Sequence, residues 1–146
     1  MPFQVRTEVD ASEVRRIVRS LAAINKRLAR KALRKAVTVA GRVVRDDAKN
    51  RVAVRTGLLR KSLGVRVRTY LARGVVVAVV GPRRGFRRDV PGVGTVDPVN
   101  YAHLVEYGTN KSAAKPFLRP AWDENKERIV AAMRGILEES LRSARA

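Results

Sequence analysis

Apolar and polar residues alternate from Phe3 to Val9, a period-two pattern that predicts a half-exposed strand. The period then lengthens. Asp10 followed by Glu13 makes a capping-box pattern, and Val14, Ile17, Val18 and Leu21 form the apolar stripe of a helix. Residues 25–50 carry a longer helix, either separate from the first or continuous with it. Leu28, Ala32, Ala36, Ala40, Val43 and Val44 recur there at helical spacing, while Lys26, Arg27, Arg30, Lys31, Arg34 and Lys35 crowd the other positions. The apolar face is mostly Ala and Val, so another element can pack closely against it.

Thr56-Gly57 breaks the pattern, and Thr56 is placed to cap a short helix through Ser62. Residues 64–70 alternate, with Val65, Val67 and Thr69 on one face and Arg66, Arg68 and Tyr70 on the other. Leu71-Ala72-Arg73-Gly74 is a turn, with Gly74 free to take a positive φ. Val75 to Val80 is continuously apolar, so both faces of this second strand need cover, from the same chain or from a neighbouring subunit. Residues 82–100, cut by Pro82, Gly85, Pro91, Gly92, Gly94 and Pro98, are expected to form a long flexible basic loop without secondary structure. Tyr101–Tyr107 reads as a short helix or turn ending at Gly108. A last helix is expected from about Pro120 to Ser143, with Trp122, Ile129, Val130, Met133, Ile136, Leu137 and Leu141 as its stripe and Asp123, Glu124 and Glu127 at its positive start. The predicted architecture is a single α+β domain over residues 1–146. In it a small antiparallel sheet, the hairpin at about 64–81 plus the N-terminal strand, packs against a long helix and a C-terminal helix.

Charge changes the picture more than composition does. The net charge is +19 from 32 Lys and Arg against 13 Asp and Glu. Residues 1–55 hold fifteen bases and five acids, residues 56–100 nine and two, and residues 101–146 eight and six, so the excess fades toward the C-terminus. Such a charge favours an anionic partner: DNA, an acidic protein ring or a membrane surface. A basic surface that is simply solvated would look the same. No cysteine is present, which removes disulfides and thiolate metal sites. Met1-Pro2-Phe3-Gln4 lacks the layout of a signal peptide, and Val75–Val80 is far short of a membrane span. A soluble protein without membrane contact is expected.

Three short segments carry more specific information. They are Thr56-Gly57-Leu58-Leu59-Arg60-Lys61-Ser62, then Tyr101-Ala102-His103-Leu104-Val105-Glu106-Tyr107-Gly108-Thr109, then Pro116-Phe117-Leu118-Arg119-Pro120-Ala121. In that order, after a long Ala-rich helix and a hairpin, they resemble the neck and tail-completion proteins of lambda-like and related long-tailed phages. The resemblance spans roughly residues 25–140. One departure is Val52-Ala53-Val54, where such proteins often carry a Pro shortly before the Thr-Gly pair. The resemblance implies a structural virion protein at the head–tail interface. It would be assembled in the host cytoplasm as a homo-oligomeric ring, a hexamer or a dodecamer, between connector or head-closure proteins and tail proteins. The genome would pass through or near that ring.

Within these segments, Gly57 and Gly108 are expected to supply backbone conformations that side chains resist. Glu106 lies in an apolar stretch. It is expected either to find a partner in Arg60, Arg119 or the amides near Thr56, or to sit exposed at a helix end. Phe117 and Trp122 read as core or interface anchors, and Tyr101 and Tyr107 as cover for a subunit contact or for the local core. Arg83, Arg84, Arg87 and Arg88 around Phe86 are the candidate contact with DNA or with the next ring.

Catalysis finds little to work with. His103 is the only histidine and lies among Ala102, Leu104 and Val105. Asp46-Asp47 and Glu138-Glu139 are helix neighbours pointing about 100° apart, a poor chelate. Gly92-Val93-Gly94 lacks the Lys and the following helix of a phosphate loop. The expectation is no enzyme, no cofactor and no metal. The competing reading is a stand-alone basic nucleic-acid-binding protein, which the charge favours but no recognised nucleic-acid-binding signature supports.

Overall fold

A computed structural model describes residues 11–146. The strand expected at residues 3–9, and Asp10 of the expected capping box, lie outside them. The chain is α+β, with two small sheets among long helices. It divides into two compact units.

Among the described residues, one unit takes residues 11–43, 65–79 and 125–146. Helix α1 (Ser12–Ile24) starts without a side-chain cap, and Glu13 instead pairs across to Arg134 at 2.6 Å. Asn25 both ends α1 and begins α2 (Lys26–Arg51). Its backbone is extended, its N–H closes on Leu21 O at 2.8 Å, and its Oδ1 accepts the N–H groups of Arg27 and Leu28 at 2.9 and 3.2 Å. The two helices are therefore separate. Val14 and Leu21 of α1, Ala29, Ala32 and Ala36 of α2, and Leu137 of the C-terminal helix α6 (Lys126–Arg145) form the core, flanked by Ile17, Val18, Met133 and Ile136. The small α2 residues hold the helices close, as their composition suggests.

Strands β1 (Leu63–Tyr70) and β2 (Val75–Pro82) pair as the expected hairpin, turning at Gly74 with φ 62°. Their inner face meets α2 at Gly41, where a Cβ would lie 2.7 Å from Val65 Cγ1 and 3.3 Å from Ala78 Cβ. Arg34 on α2 reaches over the same face, donating to Thr69 Oγ1 at 2.9 Å and to Val67 O at 3.5 Å.

The other unit takes residues 44–64 and 80–124 among the described residues. Its buried apolar residues are Val44, Ala48 and Val52 from the end of α2, Leu58 and Leu59 of α3 (Leu58–Ser62), Leu63, Ala102, Phe117, Leu118 and Ala121. Arg51 ties the end of α2 to Asp47 at 3.0 Å and to Glu124.

The segment expected to lack structure contains a hairpin. Strands β3 (Arg88–Val90) and β4 (Gly94–Val96) pair antiparallel, with Asp89 opposite Thr95 and a 2.6 Å bond from Thr95 Oγ1 to Asp89 Oδ1. Gly92 and Gly94, which look like interruptions in sequence, serve the turn with φ 78° and 98°. The last helix also differs from expectation: it is two helices, α5 (Leu118–Asp123) and α6. The N–H of Glu124 closes on Pro120 O at 3.0 Å, and the chain re-enters helix after Asn125. Asp123 therefore ends α5, and only Glu127 serves the first turn of α6.

Candidate interaction surfaces

The three sequence segments lie in one unit, and the second and third build one device around Glu106. Helix α4 (Ala102–Tyr107) presents Glu106 inward, only 3% exposed. Its Oε2 accepts the N–H groups of Phe117 and Leu118 at 2.8 and 3.0 Å, and its Oε1 accepts that of Arg119 at 2.9 Å. These are orphan donors at the start of α5, so the carboxylate caps a helix eleven residues downstream. Of the partners expected for Glu106, neither Arg60 nor the amides near Thr56 takes the role. Arg60 is exposed, and Arg119 contributes its backbone while its guanidinium sits 3.8 Å from Asp123.

Gly108 and Thr109 make this geometry reachable. Gly108 has φ 75° and ψ 176°, and a Cβ there would lie 2.6 Å from Ala114 N. Thr109 Oγ1 accepts the N–H groups of Lys111 and Ser112, Thr109 N–H donates to Ser112 O at 2.8 Å, and Lys115 N–H donates to Val105 O at 2.8 Å. The chain thus folds back along α4 and delivers Pro116 and the fully buried Phe117 beside Glu106. Pro120 lies within α5.

At the first segment, Gly57 (φ 74°) holds the cap position of α3 instead of Thr56, and Thr56 Oγ1, one residue earlier, accepts the N–H of Leu58 at 3.3 Å. Thr56, Gly57 and Leu59, the β3–β4 hairpin through Val90, Val93 and Val96, and the α4 region through Tyr101, Leu104 and Val105 wall a cleft of about 610 Å3. Arg55 and Lys115 stand among its lining. Burial, and secondly the charge of Asp97, hold the Tyr101 phenol above its ordinary pKa. His103 is exposed and does not line the cleft. Nothing in the sequence marks this cleft, because the hairpin forming one wall has strands of three residues, too short for a periodic pattern.

The basic loop is more tethered than its composition suggests. The Arg83 side chain donates to Ser62 O at 3.3 Å and to Lys61 O at 2.9 Å, and its stem crosses Gly64. Arg83 and Arg88 lie 4.8 and 4.3 Å from the Phe86 ring centre, as cation–π pairs. Arg87 pairs with Asp97 at 3.4 Å. Arg84 is exposed and has no hydrogen bond or ion pair among the described residues.

The outer face of the β1–β2 hairpin carries Arg66, Arg68 and Tyr70 on one strand and Val75, Val77 and Val79 on the other. The three valines are 43, 38 and 42% exposed, against the half-buried Val76, Ala78 and Val80. Alternation along β1 made its faces legible in sequence. Along β2 only the structure says which valine row meets α2. No helix among the described residues is long and apolar enough to cross a membrane.

Residues 15–108 match the family described as "Bacteriophage HK97-gp10, putative tail-component". No curated protein and no solved structure gave a significant match. The matched stretch contains the Thr56 segment, the Tyr101 segment as far as Gly108, the long helix and both hairpins; Thr109, Ser112, Ala113 and Lys115 of the cleft and the Pro116 segment follow it. The chain therefore belongs to the HK97 gp10-like family of phage tail components.

Proposed function

We propose that the protein is a ring subunit that joins the phage head and connector to the tail, as a neck or tail-completion component. The observation that carries this reading is the bare valine row Val75, Val77 and Val79 on a subunit of a phage tail-component family. An apolar face of this kind is covered when copies associate, and one repeated heterologous contact closes into a ring. The role requires binding surfaces and no catalytic chemistry. Arg84, with the outward sides of Arg87 and Arg88, meets an acidic surface on the adjoining ring.

Mass measurement of the purified chain tests the ring. At an ionic strength that screens the net charge of +19 we expect a closed oligomer, converted to monomer by Val77→Asp with the helical circular dichroism unchanged. A wild-type chain that stays monomeric and is missing from purified particles would end the proposal. Reversing Arg84 and Arg88 to Glu is expected to lower the fraction of joined heads and tails seen by electron microscopy; unchanged joining would remove the loop from the contact.

A further inference from the structure

From Lys26 to Arg42, every exposed residue of α2 is a cation: Lys26, Arg27, Arg30, Lys31, Arg34, Lys35 and Arg42. Arg34 is tied to the hairpin. The side chains of the other six make no hydrogen bond or ion pair among the described residues. Arg15, Arg16 and Arg19 of α1 are exposed in the same unit. Across residues 12–43 the one acid is Glu13, already engaged by Arg134.

This arrangement works against the helix that carries it. Lys26, Arg30 and Arg34 form one row at i, i+4 spacing, and Arg27, Lys31 and Lys35 form another; like charges so placed repel. Lys26 and Arg27 also stand in the first turn of α2, where no acid offsets them and the helix dipole is positive. Both penalties vanish when a polyanion lies along the face. The two rows cover about 14 Å from Lys26 to Lys35, and Arg42 extends the cationic face to about 24 Å, long enough to meet several phosphates of one duplex.

The composition of the face selects the class of partner. Protein–protein contacts centre on apolar residues depleted in charge. Here no apolar residue between 26 and 42 is exposed. Protein–DNA contacts are strongly positive and polar. We propose that the exposed cationic rows of α2 are a sequence-independent contact for duplex DNA, which positions or screens the genome as it passes the ring. The placement beside the genome rests on the joining role; the contact itself does not.

The test is binding of the full-length protein to a short mixed-sequence duplex across a potassium chloride titration. The logarithm of affinity should fall steeply and linearly with the logarithm of salt, by about 0.9 per phosphate neutralised. Lys31→Gln with Lys35→Gln should reduce that slope by about 2 while circular dichroism stays unchanged and thermal stability at low salt rises. Arg84→Gln with Arg88→Gln should leave the slope unaltered. An unaltered slope in the α2 variant, or loss of slope in the loop variant, would overturn the assignment. So would tight binding of polyglutamate with none of the duplex, which would mark an acidic protein as the partner. Missing protein in purified particles would sink the joining role and leave the duplex result standing; a flat salt response would do the reverse.

Discussion

Glu106 accepts the backbone N–H of Phe117 at 2.8 Å, and this bond locks two sequence segments into one structural unit. With Leu118 and Arg119 also donating, the carboxylate satisfies three backbone groups at a buried site. Charge-assisted bonds of this kind are about twice as strong as neutral ones, and a buried donor left unpaired costs about 1–3 kcal/mol. Glu106→Ala should therefore destabilise the chain by about 3 kcal/mol or more, measured by urea unfolding. Glu106→Gln keeps one acceptor and turns an NH2 toward other donors, so it should fall between the two. A loss below about 1 kcal/mol in the Ala variant would mean that solvent replaces the carboxylate.

Gly57 and Gly108 look equivalent in sequence and differ in the fold. Gly57 takes φ 74° and ψ 0° with open space around it, whereas Gly108 combines φ 75° and ψ 176° with the Ala114 backbone against its α-carbon. Alanine at 57 pays only the left-handed penalty of about 1 kcal/mol. Alanine at 108 enters a region reserved for glycine and also displaces backbone, for about 3 kcal/mol or more. Paired denaturation curves should separate Gly108→Ala from Gly57→Ala by that margin.

Two helical glycines give a second contrast. Alanine normally stabilises a helix by about 1 kcal/mol over glycine. Gly135 faces open space, so Gly135→Ala should raise stability by about that amount. At Gly41 the new methyl meets Val65 Cγ1 at 2.7 Å, on a β-branched side chain that turns little. Gly41→Ala should be neutral or destabilising, and Gly41→Leu should cost about 3 kcal/mol as the hairpin is forced off α2. Thermal melts of the three variants check this.

Tyr101 gives a pH dependence with a defined sign. Burial and Asp97 favour the neutral phenol, so the folded pKa lies above the unfolded value. The associated stability is intact below the ordinary tyrosine pKa and is lost as pH rises through the folded one. Tyr101→Phe should flatten the alkaline fall in stability relative to wild type. Parallel curves would show that Tyr101 ionises as freely in the fold as in the open chain.

Much of this architecture was legible in the residues. Helical spacing of alanines and valines located α2, and alternation at Val65, Val67 and Thr69 located β1 and its faces. What periodicity could not supply were effects of chain geometry. The β3–β4 hairpin has three-residue strands and turn glycines, too short for a period to register. The break between α5 and α6 leaves the apolar stripe intact, so the stripe conceals it. Glu106 stood out as an acid among apolar neighbours, but its partners are backbone groups, which every residue carries and no sequence marks. The arginines of residues 83–88 stand out in sequence by charge alone. Only side-chain geometry shows Arg83 spent on its own main chain and Arg84 left outward.

The uncovered valines of β2 sit on a molecule of net charge +19. Separate copies in dilute buffer thus repel at long range while carrying a surface that attracts at short range. The balance is set by ionic strength, because salt shortens the reach of the repulsion and leaves the apolar attraction in place. Subunits should stay dispersed after synthesis and condense where counter-ions or an anionic template neutralise them. Assembly would then be gated by location instead of by concentration alone.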